Sequence, residues 1–466
     1  MKRTLLIFLV LLLITGCTMA PKYERPETPI PREWPKGEAY KPLADAPPSA
    51  LLRTGQLITD RRMRDVMDMA LRNNRDLRLA MLNTEKTKAM YGISLSSLLP
   101  TVNAAGTWYK ERIPDDLSST GSAYTAQKSS VTLGLTSWEI DFFGRLRNLK
   151  DAALEEYLAT EESLRGARIL LISTVAQAYF ALAADRENLK LASKTYEAHE
   201  KTYHLMKKRH DIGLASELDL RRVQSQRDAA RGDLARYTQL VAQDENALNL
   251  LVGSPVPPEL LPTGFSSIAP PQDISEGLLS DVLLNRPDVL AAEHRLKEAN
   301  ANIGAARASF FPRITLTTSV GTASAELSGL FKAGSGVWTF APQIVMPIFD
   351  ARTWFAYDVA KLDKEIAVAQ YEKAIQTAFR ETADALAEKG MIALRLEAQQ
   401  SLVDHLEAAC RLSEARYNKG IDSYLSVLDA QRSLYAASQG LILLKLSDIN
   451  NKITLYKTLG GGTEKP

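Results

Sequence analysis

His199, His204 and His210 fall close together, and imidazole is the commonest protein ligand for a transition metal. Their spacings are five and six residues. A helical metal pair needs a spacing of four, so these three do not share a face and read as solvated or packed side chains. Gly460-Gly461-Gly462 closes a helical run and opens none. A phosphate cradle sits instead at the start of a helix. No Gly-x-Ser-x-Gly elbow presents a nucleophile. Carboxylates are scattered along helical faces, the usual pattern of solvent-facing charge. No catalytic residue, metal or cofactor is expected, and an enzyme has no support. Two thiols remain, Cys17 and Cys410. Cys410 lies in a long helical run and reads as a small packed side chain.

Cys17 has a different context. Lys2 and Arg3 precede an apolar run from Leu5 to Ile14, followed by Thr15 and Gly16. A basic start, a short apolar core and small residues before a cut make a secretory signal over residues 1–16. The run is shorter than the roughly 20 residues that span a bilayer. Cys17 directly after Gly16 resembles a bacterial lipobox, which implies cleavage before Cys17 and acylation of its sulfur and amine. An N-acyl and S-diacylglycerol lipid is then the only attached group. Thr18, in place of an Asp, favours the outer membrane. With Cys17 acylated, Cys410 has no disulfide partner. Of 57 Lys and Arg, two leave with the signal, so 55 face 55 Asp and Glu. A near-zero balance gives no argument for nucleic acid.

The chain states one pattern twice. Asn74-Arg75-Asp76 runs to Pro100, and Asn285-Arg286-Pro287-Asp288 runs to Pro312, with 24 residues from Asp to Pro in each. Gly213-Leu214-Ala215-Ser216-Glu217-Leu218 answers Gly420-Ile421-Asp422-Ser423-Tyr424-Leu425. Gln224 and Gln431 each follow their Gly by 11 residues. Such ordered matches mean an internal duplication, in which one supersecondary unit packs against its own copy.

Proline marks the boundaries. Eight of the 21 prolines lie between Pro21 and Pro48, and six between Pro255 and Pro271. The first cluster makes residues 17–60 an extended tether, and the second makes residues 255–273 a linker. Repeat 1 is then 61–254, repeat 2 is 274–460, and 461–466 is a tail. No proline interrupts 115–254 or 348–465, where long helices can run. Val175, Leu182, Leu189, Tyr196 and Tyr203 recur every seven residues, as do Leu428, Tyr435, Ile442, Ile449 and Tyr456. Sustained heptads read as coiled-coil packing. Helices are expected near 64–98, 146–208, 216–252, 287–309, 352–416 and 423–459. Gly213 and Gly420 stand where each long helix turns back.

Strand-like segments lie near 101–112, 129–141, 313–322 and 336–345. Ile314, Leu316, Thr318 and Val320 alternate with Arg313, Thr315, Thr317 and Ser319. Trp108, Tyr109, Trp138 and Trp338 fall inside these segments. Alternation over about 9–11 residues suits a tilted membrane strand, and equally a soluble sheet. The secretory signal favours lipid. In lipid the sheet edges must close, and four strands cannot close alone. Two chains would pool eight strands and three would pool twelve, and counting does not choose.

Several stretches resemble the TolC-like outer-membrane factors, in the lipoprotein branch that serves resistance-nodulation-division pumps. They are Cys17 with Pro21-Lys22-Tyr23-Glu24-Arg25-Pro26, and Trp138-Glu139-Ile140-Asp141-Phe142-Phe143-Gly144-Arg145. Gly213 to Leu220, Arg416 to Gly420, Leu428 to Leu434 and Leu455 to Gly462 complete the match, which covers nearly the whole chain. The resemblance implies a mainly helical chain with membrane β-structure. Three copies would form a 12-stranded outer-membrane barrel continuing into a coiled-coil α-barrel. It implies a passive exit duct for drugs or small solutes, fed by an inner-membrane pump through a periplasmic adaptor. The adaptor would dock at Gly213, Leu214, Ala215, Gly420, Ile421 and Asp422. Leu425 would form an apolar ring and Asp429 an acidic ring across a closed tip, with Arg416, Tyr417 and Arg432 as polar partners. Type I protein secretion, a heavy-metal exporter and a non-pore coiled-coil scaffold are the other readings of such a chain.

Overall fold

The computed structural model describes residues 18–40, 58–272 and 279–461. The lipidation expected at Cys17 lies outside the described residues. The chain divides into two compact units. One is built on Asn83–Glu161 and Ala291–Tyr371 with the described N-terminal residues up to Glu27. The other holds Thr28–Leu82, Glu162–Leu290 and Glu372–Pro466.

The elements come in two matching sets. The first is α1 (Arg61–Asn73), α2 (Arg75–Ser96), β1 (Val102–Ile113), β2 (Tyr124–Glu139), α3 (Arg145–Asp211) and α4 (Glu217–Val252). The second is α5 (Pro287–Ala308), β3 (Arg313–Ser324), β4 (Gly336–Val345), α6 (Ala351–Asn418) and α7 (Tyr424–Thr458). At 67 and 68 residues, α3 and α6 are each about 100 Å long at 1.5 Å per residue. The single helix expected over 64–98 is instead two. Asn74 leaves the helical region at ψ 132°. Its Oδ1 accepts from Leu77 N at 2.8 Å and caps α2, while its Nδ2 donates to the Leu251 carbonyl at 2.8 Å.

The second unit carries the larger core. Val66 and Met67 of α1, Val175, Tyr179 and Phe180 of α3, Leu248 of α4 and Ile453 and Leu455 of α7 are buried together. Each such side chain contributes on the order of 2 kcal/mol by leaving water. The most apolar 18-residue stretch of α3 is 61% buried. Its hydropathy therefore reflects core packing. The heptad positions Val175, Leu182, Leu428 and Tyr456 are all buried. Polar ties add register along each hairpin. In the second hairpin Gln399 Nε2 donates to the Ala437 carbonyl at 2.8 Å and Ser447 Oγ to Glu388 Oε1 at 2.6 Å.

The first unit carries an antiparallel sheet in the order β1-β2-β3-β4. β2 begins five residues earlier than the 129 expected, because Tyr124 pairs with Ile113 across the hairpin that Pro114 ends. The register sorts the side chains onto two faces. Val102, Val131, Leu133, Ile314, Leu316, Val320, Trp338, Phe340 and Ile344 share one face, and Asn103, Thr107, Thr132, Thr315, Thr317 and Thr339 share the other. The apolar face is bare: Trp338 is 78% exposed, and Leu133, Val320, Phe340 and Ile344 are exposed as well. A soluble sheet buries its apolar face, so the alternation in these strands serves another medium.

Candidate functional site

Both helical turns are built alike. Gly213 lies at φ +78° and Gly420 at φ +72°, in the left-handed region that glycine enters without a Cβ clash. Gly213 N donates to the His210 carbonyl at 2.8 Å and Leu214 N to the Arg209 carbonyl at 2.7 Å. Gly420 N donates to the Tyr417 carbonyl at 2.9 Å and Ile421 N to the Arg416 carbonyl at 3.0 Å. These bonds satisfy the last carbonyls of α3 and α6. Ser216 then caps α4, its Oγ accepting from Asp219 N at 3.0 Å. Ser423 holds the same place before α7 without a side-chain cap.

The turns differ in charge. Arg416 donates to Asp422 through Nε at 2.5 Å and Nη2 at 2.9 Å. That hydrogen bond holds the Asp422 carboxyl below the usual carboxylate range. In the first turn the place of Asp422 is taken by Ala215, and among the described residues no such acid pairs with Arg209, which answers Arg416. Arg209 crosses to the second hairpin instead and donates through Nη1 to the Tyr417 hydroxyl at 2.9 Å. Tyr417 packs edge-on against Tyr424 with ring centroids 5.0 Å apart. Beneath them Met206, Leu220, Val223, Tyr424, Val427 and Leu428 form a separate small core that joins the two turns.

The expected gate residues are therefore distributed over several contacts. Asp429 accepts from Arg432 Nη2 at 2.9 Å, one helical turn away on the exposed face of α7. Arg416 is tied to Asp422 and Tyr417 to Arg209 within the chain. Leu425 is 41% exposed on the first turn of α7. Leu214 and Ile421 are exposed apolar tips beside their glycines. His210 lies 3.1 Å from Glu217 and 3.8 Å from Asp211, and His204 3.1 Å from Glu200. Among the described residues no group of three or more His, Cys, Asp or Glu could hold a metal ion.

Sequence reasoning missed two constellations outside the turns. At the junction of β2 and α3, Glu139 accepts from Arg145 Nε at 2.9 Å and Nη2 at 2.8 Å and pairs with Arg313 Nε at 2.5 Å. Asp141 accepts from Arg147 N at 2.9 Å, and Trp138 Nε1 donates to the Leu98 carbonyl at 3.2 Å. Along α5, Tyr23 Oη donates to Glu293 Oε1 at 3.2 Å and Arg25 Nη2 to Glu293 Oε2 at 2.5 Å. Burial raises the Glu293 carboxyl, but hydrogen bonds from Arg25 and Lys297 more than offset it and hold the group below its ordinary range. Both clusters begin in the family-like stretches around Tyr23 and Trp138; Arg145 and Arg147 lie close by, but Leu98, Arg313 and Glu293 are too distant in sequence to be read there.

Comparison with known proteins places this geometry. The family described as outer membrane efflux protein matches residues 66–254 and 278–461. The solvent efflux pump outer membrane protein SrpC of Pseudomonas putida is 44% identical over 465 residues, 99% of each chain. A membrane protein of Pseudomonas aeruginosa has a crystal structure with TM-score 0.90 and 39% identity, over 96% of this chain and 98% of that one. The open state of the Neisseria gonorrhoeae MtrE outer membrane channel matches with TM-score 0.85 and 37% identity, over 96% and 98%. The bare-faced sheet is thus outer-membrane β-structure, and the helical hairpins belong to a channel rather than an enzyme. This chain belongs to the outer membrane efflux protein family.

Proposed function

We propose that three copies of this chain pool their sheets into a 12-stranded barrel and their hairpins into a helical tube, making a passive exit duct. The observation that carries this reading is the four-stranded sheet, apolar on one face and polar on the other, with β1 and β4 as open edges. Lipid satisfies no backbone hydrogen bond, so those edges must pair with other copies. Twelve strands leave an aqueous lumen that eight would fill with side chains. The polar faces then line the lumen and the apolar faces meet lipid.

In this reading the signal is removed and Cys17 carries acyl chains that anchor the N-terminal segment to the same membrane. The helical turns lie at the periplasmic end. There an adaptor protein docks around Gly213, Leu214, Ala215, Gly420, Ile421 and Asp422, and an inner-membrane pump of the resistance-nodulation-division type supplies the driving force. Leu425 and Asp429 narrow the axis, with Arg416, Tyr417 and Arg432 as their polar partners. The name of the solvent-pump relative supports small organic solutes as the cargo rather than proteins.

The test is conductance in planar bilayers with the purified lipidated protein, after its mass is checked for a trimer. Discrete channels whose conductance rises in Leu425→Ala/Asp429→Ala are expected. A trimer with unchanged conductance in the double variant would remove the gate assignment. A folded protein that gives no channels in any form would overturn the duct.

A further inference from the structure

Two carboxyls face each other in the first hairpin: Asp185 on α3 and Asp244 on α4. Oδ2 of Asp244 is enclosed by protein and receives no donor from the described residues. The nearby cations are otherwise engaged. Arg186 gives Nη2 to Glu245 Oε1 at 2.6 Å and Nη1 to the Pro262 carbonyl. Lys190 lies 3.7 Å from Glu187, and Arg62 of α1 is held by Asp60 and the Ser267 carbonyl. Asn188 gives its amide to Asp185 Oδ1 at 3.4 Å. Among the described residues Asp185 is the charged group whose field acts on Asp244.

The duplication provides an internal control. Gly213 and Gly253 in the first hairpin answer Gly420 and Gly460 in the second at a constant offset, and that offset sets Asp244 opposite Asn451. Asn451 is 3% exposed, and its amide donates to the Ala385 carbonyl at 2.9 Å and to Glu388 Oε2 at 3.3 Å. The second hairpin therefore closes this position with a proton that does not titrate. The first places a carboxyl there, whose buried oxygen meets no donor among the described residues and can bond to Asp185 by carrying a proton itself.

We propose that Asp185 and Asp244 form a proton-operated lock between α3 and α4, closed by one shared proton and loosened by like-charge repulsion when it leaves. Burial first, and the charge of Asp185 second, push the Asp244 carboxyl up to about 6. The folded group thus holds its proton more tightly than an unfolded aspartate, whose ordinary value is 3.8. The stability it contributes is complete below that ordinary value, falls as pH rises through the folded one, and is flat above it. A compartment that drifts between mild acid and neutrality would tighten and relax this stretch of the hairpin while the Asn451 stretch stays constant.

Hydrogen exchange of the full lipidated protein between pH 5 and pH 7.5, corrected for intrinsic rates, tests the lock. In wild type, protection of the segments around Asp185 and Asp244 should fall about fivefold or more with rising pH, since each tenfold gain in proton affinity on folding changes the coupled equilibrium by up to about tenfold. The segments around Ala385 and Asn451 should show no slope. Asp244→Asn should remove the slope and keep the low-pH protection at pH 7.5. Asp185→Asn takes away the repelling charge but not the burial of Asp244 and should therefore reduce the slope, which covers the case of one variant failing to fold. A wild-type profile that is flat over this range, or the same slope retained in a folded variant, would overturn the proposal.

Discussion

Arg416 and Asp422 close the second helical turn with two parallel hydrogen bonds, Nε to Oδ2 at 2.5 Å and Nη2 to Oδ1 at 2.9 Å. A guanidinium fork on a carboxylate fixes orientation as well as distance. Arg416 is exposed and Asp422 partly so, and the pair shapes the turn more than it stabilises the fold. The Asp422 carboxyl titrates below its ordinary value, so the contact is complete above that value and is lost only as pH falls beneath it. Exchange protection of the second turn should therefore be flat from pH 5 to pH 8. Asp422→Asn should speed exchange there severalfold without moving the melting temperature. A wild-type turn that loosens between pH 5 and pH 8 would contradict this.

The first turn has no such pair, and its Arg209 reaches the Tyr417 hydroxyl of the second at 2.9 Å. Tyr424, 8% exposed, lies under that contact in the small core that joins the turns. Tyr424→Ala should cost about 3 kcal/mol of local stability, the usual loss for emptying a large buried site. Tyr417→Phe removes one hydrogen bond and should cost about 1 kcal/mol. Exchange free energies of tip amides would show both, with mid-hairpin amides unmoved. Equal effects from the two variants would mean the hydroxyl rather than the packing joins the hairpins.

The two copies of the Asn-Arg-Asp pattern do the same work with different side chains. Asn74 donates to the Leu251 carbonyl at the end of α4 at 2.8 Å, while Arg286 donates to the Thr458 carbonyl at the end of α7 at 2.7 Å. Arg286 also binds Asp288 at 2.8 Å and Glu381 at 2.9 Å. Asn74→Ala removes a helix cap and should cost about 1–2 kcal/mol. Arg286→Ala takes the donor from the Thr458 carbonyl and empties a buried site, while Asp288 and Glu381 stay in contact with solvent, and should cost about 1–3 kcal/mol. Thermal melts in detergent would rank them. A milder loss for Arg286→Ala would show that solvent fills the space it leaves.

What the sequence revealed, and what it hid, divides by distance along the chain. The turns at Gly213 and Gly420 were legible because a left-handed cap is a local requirement. The long helices were legible because proline is absent and the heptads are sustained. The break at Asn74 was hidden, since apolar spacing continues through it and the competing bond goes to Leu251. The contact of Asp429 with Arg432 was readable as an i,i+3 pair. Those of Arg416 with Asp422 and Tyr417 with Arg209 were not, because the turn geometry and the second hairpin decide them. The sheet showed its alternation but not its bare face, which depends on what packs against it.

Glu139 joins one partner that is near in sequence to another that is far from it. It ends β2, pairs across to Thr315 of β3, and collects Arg145 from the start of α3 and Arg313 from the start of β3. The strand pair and the helix that follows it are thereby tied through one carboxylate. Just before it β2 departs from regular pairing between Leu135 and Trp138, with Ser137 at φ +53°. That irregularity makes the chain depend on side-chain contacts to leave the sheet in the right direction. Glu139→Gln keeps the size but turns an amide N–H toward a guanidinium. Helical content by circular dichroism should stay at wild-type level, because the hairpin cores do not involve this residue. The fraction of heat-resistant oligomer on semi-native gels should fall severalfold, because the sheets must meet at a fixed angle to pair their edges. Arg145→Ala, which leaves Arg313 in place, should give a smaller loss. An oligomer fraction equal to wild type in both variants would mean the β-structure orients itself without this latch.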